Sequence, residues 1–230
     1  QALALAQQLS AADPVSADHR QGLSRTYARL GRVLGLAGEP GGALDAFVSA
    51  RRISQGLAAG DTVNMETQHD LVAIESGIGD QLMALDRRAE ARASYTAAVE
   101  RGEATVRRDP RHTRARRSLA LAQRGLGSAL ARSGNPARGV ALQLRSLATL
   151  QQLSAADPLN VDLQHEVAAG LAQLGATYAA HADRRAACRA FRDSQEKWRA
   201  LEQAGTLSPA SSQAVADAAR SLQRCAREPA

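Results

Sequence analysis

The chain has 230 residues, a formal charge of +6 and 44% apolar residues, yet only 3% aromatics. Its core must therefore be built from Ala, Leu and Val, and no uncharged apolar run of about 20 residues exists to span a membrane. The modest basic excess permits an acidic partner without demanding one.

Of the 29 basic residues only Lys197 is lysine. With the abundant alanine, this reads as the coding bias of a GC-rich bacterium. No signal-peptide pattern is visible. Residues 1–11 read as the end of a helix whose beginning is missing, so a fragment of a longer protein is expected. Leu3, Leu5 and Leu9 then leave an apolar face uncovered, and self-association through that end is expected.

From residue 13 onward the chain repeats every 48 residues: Asp13, Asp61, Asp109 and Asp157 fall at that interval, as do Gly31, Gly79, Gly127 and Gly175. Such a period marks a solenoid, in which no single unit buries its own apolar face. The repeats run about 15–61, 62–109, 110–157 and 158–205 within a single expected domain, 1–230.

Each repeat reads as two helices. Ser16, Asn64, His112 and Asn160 share one column, and three of them are good N-caps. Asp18, Glu66 and Asp162 suit the positive helix end, where the third repeat has Arg114. The first helix carries one apolar stripe: Leu23, Leu30 and Leu34, with equivalents such as Leu71, Ile78 and Leu82. A turn follows at Gly38-Glu39-Pro40-Gly41 and its equivalents. The second helix places Ala43, Ala91, Gly139 and Ala187 in one column, with Phe47, Tyr95, Gln143 and Phe191 four residues later. A small residue followed by a large one lets antiparallel helices interlock. In the third repeat, Leu142 and Leu144 are expected to fill the gap left by the missing aromatic.

The spacing from Gly31 to Ala43, Phe47 and Ala50 resembles the tetratricopeptide (TPR) signature. The second and fourth repeats match nearly as well. The unit here is longer, 48 residues against the family's 34, and the family's large residue early in the first helix is irregular: Tyr27, Glu75, Gln123, Leu171. The resemblance implies an all-α, right-handed superhelical solenoid of antiparallel helix pairs. It also implies a peptide-binding concave face lined by first helices. Carried over residue by residue, the lining includes Arg25, Arg32, Asp80, Met83, Arg124 and Arg132. The fourth repeat supplies only alanines there.

Beyond the fourth repeat, Ser208 reads as an N-cap and Pro209 as the first residue of a capping helix over 208–227. Packing that helix antiparallel against 184–204 sets Trp198 opposite Val215 and Phe191 opposite Leu222. The same register sets Cys188 opposite Cys225. A disulfide is the favoured reading and would argue for an oxidising compartment; two small buried thiols are the alternative. This ending also resembles the C-terminal TPR region of bacterial transmembrane eukaryotic-like serine/threonine protein kinases, on Trp198-Arg199-Ala200-Leu201, Gly205-Thr206-Leu207-Ser208 and the closing Cys225. That resemblance implies the periplasmic face of a membrane protein; a cytoplasmic location is the alternative.

No His/Cys/carboxylate cluster has metal-ligand spacing, so no cofactor or metal is expected. No nucleophile sits with a base, and no kinase Gly-rich loop or His-Arg-Asp segment is present, so enzymatic activity is not expected of this chain. His69 and His165 share a column and read as exposed polar positions. Arg107, Arg108, Arg111, Arg114, Arg116, Arg117 and Arg124 form the densest charge, but no aromatics are interleaved for base stacking. The leading expectation is a non-catalytic module that binds a protein or peptide of acidic character, in the regulatory region of a kinase. A scaffold or dimerisation spacer and a nucleic-acid-binding helical repeat are the alternatives.

Overall fold

A computed structural model describes residues 1–207 and 211–227 of the chain. Among the described residues there are ten α-helices and no strand. The fold is an all-α helical repeat in which packing is mainly between helices that follow one another in sequence. The chain divides into two compact units, Gln1–Ala129 and Leu130–Ala230. The division falls within a helix, not at a linker.

The first unit holds α1 (Ala2–Ala12), α2 (Ala17–Leu36), α3 (Pro40–Gly60), α4 (Met65–Ala84), α5 (Arg88–Arg108) and most of α6 (Thr113–Arg132). Ser24 meets Ser54 while Gly31 meets Phe47, so α2 and α3 run antiparallel. The aromatic side chains set the spacing. The Phe47 ring lies between Gly31 of its own repeat and Gly77 of the next; a Cβ would come within 2.7 Å of the ring at Gly31 and 2.6 Å at Gly77. The Tyr95 ring lies in the same way between Gly79 and Gly125. Ala43 and Ala91 are fully buried beneath these contacts.

The turns explain two of the repeated columns. Asp13, Asp61 and Asp109 each end a second helix and accept from backbone N–H groups of Ser16, Val63 and Arg111 respectively. Ser16 and Asn64 then cap the following helices through His19 N and Thr67 N. His112, the apparent exception, also caps: its Nδ1 accepts from Ala115 N at 3.1 Å. An imidazole nitrogen replaces the usual oxygen. Within repeats, the chain reverses through a left-handed residue, Gly38 at φ 80° and Asp86 at φ 57°.

The second unit holds the rest of α6, then α7 (Pro136–Ala156), α8 (Val161–Ala180), α9 (Arg184–Gln203) and α10 (Ser212–Arg227). Phe191 packs on Gly175, as in the first unit. The third repeat departs from expectation. Leu144 is 45% exposed and fills no gap, whereas Gln143 itself is buried at 3%. Gln143 keeps the aromatic's place in the register, which points the flanking leucine away from the core. The reversals use Gly134 at φ 84° and, unusually, Ala182 at φ 62°.

A capping helix does close this unit, but its regular part begins at Ser212. The expected N-cap Ser208 and Pro209 lie outside the described residues. Gly205, in the column that holds Asp elsewhere, takes φ 67° and ends α9 with Thr206 N donating to Leu201 O. Trp198, Leu201 and Ala218 form the core here, with Val215 packed against it. A disulfide joins Cys188 to Cys225 with Cα atoms 5.6 Å apart.

Candidate binding face

The candidate face is formed by the first helices of the first unit, α2, α4 and the first-unit part of α6. One end of this face is an ion-pair network. Arg25 Nε donates to Asp70 Oδ2 at 2.8 Å and Arg25 Nη2 to Glu66 Oε2 at 3.0 Å. Gln21 also donates to Asp70, and Arg114 lies 3.6 Å from Glu66. His69 reaches Ser118 Oγ at 2.9 Å through Nε2 and Asp70 at 3.6 Å through Nδ1. Burial pushes Asp70 up, but the hydrogen bonds from His69, Arg25 and Gln21 outweigh it and hold the carboxyl below its ordinary range.

The network ties three successive repeats together. Glu66 and Asp70 already compensate the charge of Arg25. His69 is half-buried in this contact, not an exposed polar position. Its column mate His165 is likewise half-buried, with its ring 5.3 Å from that of Trp198 and Nδ1 3.4 Å from Ser211 Oγ. Both histidines link a repeat to the helix or segment that follows.

The other end of the face is open. Arg32 is exposed, and beside it Val33 and Leu36 are exposed apolar side chains on α2, Leu36 at 80%. Met83 is half-buried on α4. Asp80 accepts a hydrogen bond from the Tyr95 hydroxyl at 2.5 Å and lies in the field of the half-buried Arg124. Five of the six anticipated groove residues thus belong to the first unit. Arg132 is exposed but belongs to the second.

Sequence reasoning missed Glu75, buried at 5% in the column where the family usually has a large residue. Burial pushes its carboxyl above the usual range, against the opposing pull of Arg51 and Arg101; the Arg51 guanidinium is 3.6 Å away. The charge-dense segment proves to be largely engaged within the chain. Arg107 lies 4.0 Å from Glu103, Arg108 donates to Thr62 O, and Arg114 pairs with Glu66. Arg101 donates to Gln68 Oε1 at 2.5 Å beside an open cleft of about 370 Å³ between α5 and the 61–64 turn. No group of three or more His, Cys, Asp or Glu able to hold a metal occurs among the described residues. No helix is long and apolar enough to cross a membrane among them.

Ser118, His69 and Asp70 thus bring a hydroxyl, an imidazole and a carboxylate into sequence within the network. The fold of the chain is shared with a known structure. The chain is similar to BtubC (BKLC) from P. vanneervenii, known from a crystal structure, with a TM-score of 0.65 and 17% identity over 98% of this chain and 86% of that one. At this identity the likeness is one of fold. No protein-family profile matches the chain, and no curated protein matches it.

Proposed function

We propose that the chain is a non-catalytic protein-interaction module of TPR type, serving as the regulatory region of a bacterial serine/threonine protein kinase. The observation that supports the TPR assignment is the contact between Gly31 and Phe47, repeated at Gly79 with Tyr95 and Gly175 with Phe191. The glycines and rings that resemble the family's signature touch one another, which supports reading the signature as a packing device. The long repeat leaves a first-helix face on which Arg32, Leu36 and Met83 offer a charge flanked by apolar groups, which suits a peptide or a protein helix. The Cys188–Cys225 disulfide fits an oxidising compartment, as the periplasmic side of a membrane protein would provide.

The complete gene tests the kinase assignment. A catalytic domain with a Gly-rich loop, its lysine and a His-Arg-Asp segment, followed by a membrane helix, is expected ahead of residue 1. A gene encoding neither would remove the kinase assignment and leave the binding module to be tested by itself.

A further inference from the structure

The outer surface of α9 carries a row of arginines that the fold does not explain. Arg185, Arg189, Arg192 and Arg199 are all exposed. Their spacing of four, three and seven residues sets them on one stripe of the helix, about 20 Å long. None makes a hydrogen bond or ion pair with a described residue. Two other arginines of the second unit are engaged: Arg184 donates to Cys225 O and Arg220 pairs with Asp217.

The internal repeat supplies a control. The same four columns hold Gly41, Asp45, Val48 and Gln55 in the first repeat. They hold Ala89, Ala93, Thr96 and Glu103 in the second, and Ala137, Ala141, Leu144 and Gln151 in the third. The helix pair therefore forms with small, acidic, apolar or amide side chains at these places. No other repeat puts a basic residue in any of the four. The arginines are not a requirement of the architecture, and four of them on one stripe exceed the acids that share it, Glu196 within it and Asp193 beside it.

We infer that the α9 stripe is a docking site for a helical protein segment that carries a complementary row of carboxylates. Arginine suits carboxylates because its planar fork donates two parallel hydrogen bonds. A membrane or nucleic-acid backbone also offers anions, but Glu196 lies within the stripe, between Arg192 and Arg199, and Asp193 flanks it. A uniformly anionic surface meets like charge at Glu196 and leaves that position unmatched. A protein helix can meet Glu196 with a lysine and the arginines with glutamates. No exposed large apolar side chain lies on α9 to anchor it in lipid or stack on a base. The inference rests on the proposed protein-binding function and adds a second surface and a partner chemistry to it.

The test uses the oxidised chain and four probes at low salt: a helical peptide bearing Glu, Lys, Glu, Glu, Glu along one face in antiparallel order, its all-Glu counterpart, phosphatidylserine vesicles and duplex DNA. The mixed peptide is expected to bind most tightly. The Arg189→Glu/Arg192→Glu double variant, folded as wild type by circular dichroism, is expected to weaken it about tenfold or more. Glu196→Lys is expected to reverse the preference between the two peptides. Tighter binding of the all-Glu peptide, vesicles or DNA by the wild type would overturn the inference in favour of a polyanion. So would binding that ignores the arginine reversals, or no binding of any probe. Crosslinking of a protein at position 32 in the host cell, alongside any of those results, would leave the proposed function standing and remove only this site.

Discussion

Gly125 lies so close to the Tyr95 ring that a Cβ placed there would come within 2.2 Å of it. The glycine belongs to α6 and the tyrosine to α5 of the preceding repeat, so this contact sets the distance between repeats. Tyr95 also holds Asp80 through its hydroxyl, and one side chain thereby joins the core to the open face.

Gly125→Ala should therefore destabilise the first unit by about 1–3 kcal/mol through overpacking, despite the better helix propensity of alanine. Gly22→Ala is the control: nothing lies within 4 Å of a Cβ there, and a gain of about 0.5–1 kcal/mol is expected. Urea unfolding of both variants checks the pair. Equal effects would show that the ring moves aside freely.

Ala182 occupies the reversal that glycine fills in the first and third repeats, with φ at 62°. A left-handed conformation costs a residue bearing Cβ about 1–2 kcal/mol. Ala182→Gly should stabilise the second unit by roughly 1 kcal/mol after the loss of unfolded-state restriction. A fall in thermal midpoint would mean that the turn is not strained.

Glu75 gives the first unit a pH dependence of known sign. Its carboxyl is raised in the folded state, so the folded protein holds that proton to a higher pH than the unfolded chain does. Its contribution therefore favours folding as pH falls from neutral through the folded pKa towards the unfolded value, and opposes folding above it. Glu75→Gln should remove that component and leave stability at pH 7 equal or higher. A loss of more than about 1 kcal/mol at pH 7 would mean that the interaction with Arg51 outweighs the desolvation of the carboxylate.

The disulfide closes a separation of 37 residues around the α9–α10 turn. Reduction, or Cys188→Ser with Cys225→Ser, should lower the stability of the second unit by about 2–4 kcal/mol. Thiol titration of the oxidised, denatured protein should find none. Two free thiols in protein secreted to an oxidising compartment would remove the argument for that location.

Much of this fold is legible in the sequence because the repeat provides its own alignment. The capping columns, the apolar stripes and the register that unites Cys188 with Cys225 follow from periodicity and antiparallel packing. The second half of the aromatic contact also has a trace in the repeat. Gly77 follows the repeat with Phe47 and Gly125 the repeat with Tyr95, while Gln173 follows the repeat with Gln143. Glycine thus appears where the preceding repeat presents a ring.

The candidate face was harder to read. A period fixes which residues share a column, but not which side chains of neighbouring columns meet. Arg25 falls in the expected lining, yet Glu66 and Asp70 of the next repeat take up its donors. His112 looks like a missing cap because its acceptor is a ring nitrogen. Glu75 looks like a surface acid because neither its burial nor its approach to Arg51 leaves a trace in the local pattern.

Site-specific photocrosslinking in the host cell tests most directly whether this chain works by holding a protein on its first helices. A photoreactive residue at position 32 or 83 is expected to label one protein partner. The same residue at position 107 or 111, on the end of α5 and the following turn, is expected to label none. Labelling confined to positions 107 and 111, with 32 and 83 silent, would contradict the account.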